Sequence, residues 1–437
     1  MWSKMKLGEV LKNREGRYKP NDPIIAGLKR IDKINFSGQI FLSDKSSNTD
    51  MILIKKGDLV ISGINVEKGA LAVYEGEEDV LATIHYSSYI FDTGKIDIDF
   101  LKVFLKSPDF VQLLKEQVPG GIKTEIKPKH ILPLEVYFPE KLSDQKAIAQ
   151  HFFGRETMFN QLNEHISHQL TLLENLNQAI LQEAVQGKLV PQSPNDEPAS
   201  ELLKRIKEEK LNRHAVSTRA KKIKELPPIK PEEIPFEIPE NWVWCRLGEI
   251  CTKVTDGFHH TPKKLSEGKI YISATHIRDG GIKWDECLFI SEIDHNDLYK
   301  KASPQKGEIL ITNRGAGCGT PVIIDIDDEF SFQNAALIGF NQELICNKFL
   351  FYFILKSRSE IMETFVNGGL QPMLSNVVLS TIPIPLPPLS EQKRIVAEIE
   401  KQFALTQQLK EKVLANQQAT EQLLKALLHQ AFEVKEQ

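Results

Sequence analysis

The chain repeats itself. Residues 139–187 and 386–434 share one layout: a proline-marked stop, a helix start and a long amphipathic stretch. Pro139-Glu140-Lys141-Leu142-Ser143-Asp144-Gln145-Lys146 aligns with Leu386-Pro387-Pro388-Leu389-Ser390-Glu391-Gln392-Lys393, and Ser143 and Ser390 stand 247 positions apart. Trp2–Val10 parallels Trp242–Ile250, Lys56–Ser62 parallels Lys306–Thr312, and Pro119-Gly120-Gly121 parallels Asn367-Gly368-Gly369. Offsets of 240, 250 and 248 at these anchors require insertions and deletions between them. A chain of 437 residues built this way is a pseudo-dimer, suited to a partner of two-fold or bipartite character.

Each half opens with mixed α/β sequence. β-rich runs at 57–62, 70–74, 270–274 and 308–312 alternate with Gly, Asn and Asp punctuation. Apolar spacing predicts helices over Phe100–Glu116 and Lys348–Val366. The runs 134–138 and 382–386 lead into the long helices, and the prolines of the second fit an edge or an extended approach. Ser143 and Ser390 suit the N-cap, with Asp144 and Glu391 in the first turn. Phe159, Leu162, Ile166, Leu173, Leu176 and Ile180 step by three and four, with Gln169 in the skipped slot. The same phase gives Thr406, Leu409, Val413, Thr420, Leu423 and Leu427, with Asn416 in that slot. These are two heptad seams, expected to pair as an antiparallel coiled coil about a pseudo-two-fold axis. Gln169 and Asn416 would then meet as a buried amide pair that fixes the register; the alternative is a solvated polar position on the seam's flank. At 1.5 Å per residue the first helix would run roughly 65 Å.

The segment after Gly187 reads as a linker. A proline-rich break at 191–198 is followed by basic residues between Glu201 and Lys224, then by Pro227–Pro239. Few apolar anchors among those charges suggest a mobile solvated link, with phosphate contact as the sharper alternative. The organisation is therefore 1–140 as a first α/β domain, 141–190 as a central helix and 191–238 as the linker. A second α/β domain follows at 239–388, and a distal helix at 389–437.

Composition narrows the function by exclusion. No apolar run approaches the length needed to span a bilayer, and the N-terminus lacks a signal-peptide core. Five cysteines without a Cys-x-x-Cys pair favour neither disulfides nor zinc and point to a reducing cytoplasm. A net charge of −4 is unusual for a protein that holds DNA alone, so a basic surface must be local or a partner must supply charge. Phosphate-loop and zinc-helix signatures are missing, and Gly315–Thr320 has no P-loop lysine, so it reads as a turn between strands. No catalytic residue or metal ligand set is assigned; the chain reads as a binder. In the second half His259, His260, Thr261, Lys263 and Lys264 share one loop. Thr275, His276 and Arg278 flank a strand end, while Asn313 with Arg314 and Gln333 with Asn334 follow two others. Arg, Asn and Gln are the side chains that contact guanine and adenine edges in pairs of hydrogen bonds.

Three features make the chain similar to the specificity subunits of type I restriction-modification systems. Gly368-Gly369-Leu370-Gln371 leading through Leu379 to Ile382–Gln392 resembles that family's passage from recognition domain to conserved helix. Leu247-Gly248-Glu249 followed by Asp256-Gly257-Phe258-His259-His260-Thr261-Pro262 resembles its recognition-domain opening. The tandem arrangement is the third. The resemblance implies two target recognition domains of mixed α/β fold, each reading half of a split site in double-stranded DNA. They would be separated by helices in an antiparallel coiled coil whose length sets the unread spacer. It also implies a subunit without catalytic activity, serving defence against foreign DNA. Two DNA adenine methyltransferase subunits would dock on it, and then restriction/translocase subunits. S-adenosylmethionine, ATP and Mg would bind those partners, none binding this chain. The first half departs from the pattern, since Arg14–Pro20 lacks the Asp-Gly-x-His-x-Thr-Pro form and Lys123 stands where Gln371 does. Its candidate DNA contacts are Arg17, Lys19, Asn65, Lys68 and Lys123. Competing classes are a coiled-coil scaffold with two protein-binding domains and a stand-alone repressor, the latter disfavoured by the acidic balance.

Overall fold

The computed structural model describes residues 2–35, 38–64, 70–117, 126–216, 225–315, 317–365 and 373–432. Two compact units emerge, one of residues 1–169 with 412–437 and one of 170–411.

In the first unit, β1 (Trp2–Lys6) pairs antiparallel with β10 (Glu135–Pro139). One four-stranded sheet has the order β2-β9-β6-β7, from Leu11–Asn13, Tyr86–Phe91, Leu59–Ser62 and Leu71–Val73. A second has the order β4-β3-β8-β5, from Ile40–Ser43, Arg30–Ile34, Val80–Thr83 and Met51–Ile54, with β3 parallel to β8. Helices α1 (Ile98–Leu105), α2 (Pro108–Gln117) and α3 (Pro128–Ile131) complete it. The single helix expected over 100–116 is thus two. Pro108 disfavours a helical conformation at the residue before it, and the Ser107 hydroxyl accepts from the Phe110 N–H at 3.2 Å. The core centres on Phe100, Phe104, Phe110 and Phe138, all buried, with Phe432 against Phe100 and Phe104.

The second unit repeats this plan. Its edge ribbon is β11 (Val243–Arg246) with β21 (Pro383–Leu386), where the two strand prolines sit in a two-stranded pairing. Around it lie α5 (Ala199–Val216), α6 (Leu247–Ile250) and β12 (Lys253–Asp256). Next come β13 (Lys269–Ser273), β14 (Ile277–Arg278), β15 (Gly281–Ile282), β16 (Leu288–Ile290) and α7 (Glu292–Ala302). Then follow β17 (Ile309–Thr312), β18 (Pro321–Ile323), β19 (Phe330–Gln333) and β20 (Ala335–Gly339), with α8 (Asn347–Phe365) and α9 (Asn376–Thr381). Sheets β12-β20-β17-β18 and β16-β13-β19 mirror those of the first unit, down to a parallel pair, β13 with β19.

The long helices are α4 (Leu142–Val185) and α10 (Leu389–Phe432), 44 residues each. Both begin one residue before the serines, so Ser143 and Ser390 lie inside the first turn instead of capping it. The Lys141 and Pro388 carbonyls accept the first helical hydrogen bonds, and the Ser390 hydroxyl donates to Asp196 at 2.6 Å. Least-exposed positions recur at steps of four and three. They run Gln145, Ala149, Phe152, Glu156, Phe159, Asn163, Ile166, Leu170, Leu173, Asn177, Ile180 and Ala184 on α4. On α10 the positions 247 further on behave alike, from Gln392 through Ile399, Thr406, Val413 and Thr420 to Leu427. This seam lies one residue beyond part of the expected one, for Leu162 and Leu176 are 42% and 45% exposed while Asn163 and Asn177 are half-buried. Gln169 and Asn416 are both exposed, so the buried amide pair expected of them is absent. A polar pair does exist within the second unit: the Thr406 hydroxyl, 4% exposed, donates to Asn177 Oδ1 at 2.7 Å. Glu174 faces Lys410 next to it, and the reversed order of these two contacts makes this stretch antiparallel.

The part of the supposed mobile link over Ala199–Val216 is a folded helix. Ala199, Leu202, Leu203 and Ile206 of α5 are buried in the core of the second unit. Its basic side chains are already engaged, Lys207 with Glu249 at 2.7 Å, Arg213 with Glu209 at 2.6 Å and Lys210 with the Gly248 carbonyl. That overturns the mobile reading for the helix over 199–216, while Arg219, Lys221, Lys222 and Lys224 lie outside the described residues. Downstream, Arg246 is 3% exposed and its five N–H bonds reach the carbonyls of Pro227, Pro228 and Thr381 and both oxygens of Glu233. That guanidinium holds the Glu233 carboxyl down at about 2.

Candidate nucleic-acid interface

In the second unit the two sheets meet where β19 becomes β20. Asn334 makes the turn at φ 56, a left-handed conformation that Asn tolerates. The pairings Ser273 with Gln333, Asp256 with Ala336, and Thr312 with Ala335 bring the ends of β13, β12 and β17 to this junction. The loops leaving those ends carry most of the candidate residues. His259, His260, Thr261, Lys263 and Lys264 follow β12, Thr275 follows β13, and Asn313 and Arg314 follow β17. Four dispersed stretches of sequence therefore share one end of one domain.

Burial separates supports from presented groups. Asn313 is 7% exposed; its amide nitrogen donates to Asp256 Oδ1 at 2.9 Å, and its backbone N–H reaches the Asn334 carbonyl at 3.1 Å. Gln333 is also buried and accepts from the Tyr271 hydroxyl at 2.6 Å, with Thr261 Oγ1 at 3.3 Å. Burial pushes the Tyr271 phenol up to about 12, which keeps it a donor. His276 is buried as well, its Nδ1 accepting from the Ser273 N–H at 3.1 Å and its Nε2 donating to the Glu286 carbonyl at 3.0 Å. Asn313 and Gln333 are thus held at the junction, and His276 between Ser273 and Glu286, each by hydrogen bonds within the domain. His259, His260, Thr261, Lys263, Lys264, Thr275, Arg278 and Arg314 are exposed, and Asn334 is half-buried. The stretch 257–264 contains no carboxylate, so the presented surface is locally cationic in an acidic chain.

Sequence reasoning missed three supports. Asp256 orients Asn313, Tyr271 orients Gln333, and a side chain at Gly257 would overlap the Phe332 carbonyl oxygen. The last contact explains the glycine in Asp256-Gly257-Phe258: the backbone must pass against β19, where the Phe258 N–H donates to Phe332 at 2.9 Å.

The first unit offers a sparser counterpart. After β2, the chain crosses to the other sheet and Tyr18 bridges to Met51. Arg17 and Lys19 lie exposed on this crossing, Lys19 paired with Asp50 at 3.0 Å. Arg14 at its start is committed to the buried Asp58 at 2.6 Å. Asn65, Lys68, Lys123 and, in the second half, Gln371 lie outside the described residues. Among the described residues, no group of three or more His, Cys, Asp or Glu is placed to hold a metal ion, and no helix is long and apolar enough to cross a membrane.

Residues 239–415 match the family described as Type I restriction modification DNA specificity domain. The chain is 32% identical over 262 residues to the type I restriction enzyme EcoAI specificity subunit of Escherichia coli; the match covers 57% of this chain and 44% of that protein. The chain thus spans less than half the length of this curated relative. Two solved chains share its fold nearly end to end. One, from a study of complex assembly and conformational transition of the type I R-M system, superposes with a TM-score of 0.65 at 15% identity, covering 99% of this chain and 97% of that one. The other, the HsdS subunit of Thermoanaerobacter tengcongensis, gives 0.52 at 17% identity, covering 99% and 96%.

Proposed function

We propose, from the match of residues 239–415 to the type I restriction modification DNA specificity domain and the likeness to type I specificity subunits, that the chain selects the DNA sequence on which a larger complex acts. It reads a bipartite, asymmetric target in double-stranded DNA, one half-site per α/β domain, with the long helices setting the spacer. The observation that carries this reading is the convergence of exposed His, Lys, Thr and Arg side chains on one sheet junction, in a chain that builds the same domain plan twice. Arg314 and Arg278 suit base edges or phosphates, while Lys263 and Lys264 suit phosphates. The unlike sequences of the two junctions account for unlike half-sites.

The chain supplies no catalytic group in this scheme. Two adenine methyltransferase subunits dock on it and bind S-adenosylmethionine; restriction/translocase subunits bring ATP and Mg. Those partners clamp the duplex, which reconciles DNA recognition with a net charge of −4, and the complex works in the cytoplasm. The test is co-expression with the adenine methyltransferase encoded in the same host, purification, and mapping of modified adenines across the genome. A split, non-palindromic motif, with selective duplex binding only in the complex, is expected. A perfect palindrome, or a complex that ignores DNA and holds other proteins, would overturn the reading in favour of a protein-binding scaffold.

A further inference from the structure

Both long helices carry a glutamine at their fourth residue, and both glutamines are wholly buried. Gln145 donates from Nε2 to the carbonyls of Pro139 at 2.8 Å and Lys95 at 3.1 Å, and accepts at Oε1 from the Asp97 N–H at 2.7 Å. Gln392 donates from Nε2 to the Pro387 carbonyl at 2.9 Å and accepts at Oε1 from the Cys346 N–H at 2.9 Å. Pro139 ends β10, and Pro387 directly follows β21. Asp97 is the N-cap of α1, and Cys346 holds the same place before α8, its carbonyl accepting from the Leu350 N–H. One side chain in each half therefore ties the long helix to the strand that feeds it and to the first turn of a domain helix. Each set lies wholly within one unit.

Every partner is a backbone group. Such a joint survives any change of the domain's side chains, provided the backbone path is kept, so two diverged domains can share it. The arrangement also resists bending, because tilting the helix would strand a buried donor and buried carbonyls without partners. We infer that Gln145 and Gln392 are positioning residues that set the angle between each domain and its helix, and so make the complex selective for one spacer length. This inference rests on the bipartite reading proposed above.

The experiment uses the complex with the methyltransferase and a duplex library in which the half-sites are constant and the spacer varies, alongside a second library with constant spacer and randomised half-sites. Wild type should select one spacer length. Gln145→Leu and Gln392→Leu keep the volume and remove the hydrogen bonds; they should accept spacers one base pair longer or shorter with at least a tenfold loss of discrimination, while choosing the same half-site bases. Hydrogen exchange on the full chain supplies a second reading. The Asp97 amide in the first variant and the Cys346 amide in the second should exchange at least tenfold faster, with the sheets still protected. Gln392→His, which keeps one donor and one acceptor, should fall between. Unchanged spacer selectivity in a folded variant overturns the inference, as does loss of half-site choice together with spacer choice. Should a leucine variant fail to fold, the histidine variant decides by the same two libraries. Wild type that selects no split site sinks the bipartite reading itself, and this inference with it.

Discussion

Arg314 stands exposed one residue beyond Asn313, whose side chain is fastened to Asp256. A flexible cation on a braced root is suited to reading a base. Arg314→Ala should lower affinity and relax specificity at one half-site by about 1–3 kcal/mol, measured by binding to duplexes varied at single positions. A loss that is uniform across sequences would mark Arg314 as a phosphate contact. Glu233 makes a different prediction. Its carboxyl ionises at about 2 in the folded chain against an ordinary 4.5, because Arg246 favours the charged form. A depressed carboxyl pKa stabilises fully above the unfolded value and loses that contribution as pH falls through the folded one. The gap in melting temperature between wild type and Glu233→Gln should therefore be widest above about pH 4.5 and close on the way down to about pH 2. A gap that stayed constant through that range would contradict the pairing. The exposed candidates were legible as polar loop residues, whereas the bracing of Asn313 and Gln333 was not, since their partners Asp256 and Tyr271 lie far off in sequence.

At the scale of elements, the seam of the long helices shows how close sequence reasoning came. Heptad spacing and the 247-residue repeat were visible, but Leu162 and Leu176 were better hydrophobic choices than Asn163 and Asn177. Adjacent residues differ by about 100° around a helix, so one step changes the buried face. Thr406→Val should cost about 1 kcal/mol by leaving the Asn177 amide oxygen without its donor, and adding Asn177→Leu should recover most of that, read by denaturant unfolding. An additive second loss would show that the two side chains do not act as a pair. The linker helix is the other correction. Its charges dominate the composition, yet Ala199, Leu202, Leu203 and Ile206 form an apolar stripe between them. Leu202→Ala should destabilise the second unit by about 2–5 kcal/mol, whereas a mobile link would leave unfolding unchanged.

For the whole molecule, electrostatics yield a prediction of their own. A chain of net charge −4, whose Lys and Arg are outnumbered by Asp and Glu, should neutralise few phosphates by itself. Its affinity for duplex DNA should fall only shallowly with salt when isolated, and more steeply in the complex with the methyltransferase. Equal slopes would place the charge contacts in this chain. What the sequence by itself determined was the duplication, the mixed α/β character of each half, the two long helices and the proline-bearing strands before them. All of these follow from local pattern and from comparing the chain with itself. Only the tertiary structure decided which face of each helix is buried, which polar groups brace the sheet junction, and that the helix over Ala199–Val216 belongs to the second core. Those choices depend on partners brought together by folding: Asp256 with Asn313, Tyr271 with Gln333, Thr406 with Asn177, and Gln145 and Gln392 with backbone far up the chain. A repeat can be read along one dimension, but a buried hydrogen bond needs both of its ends.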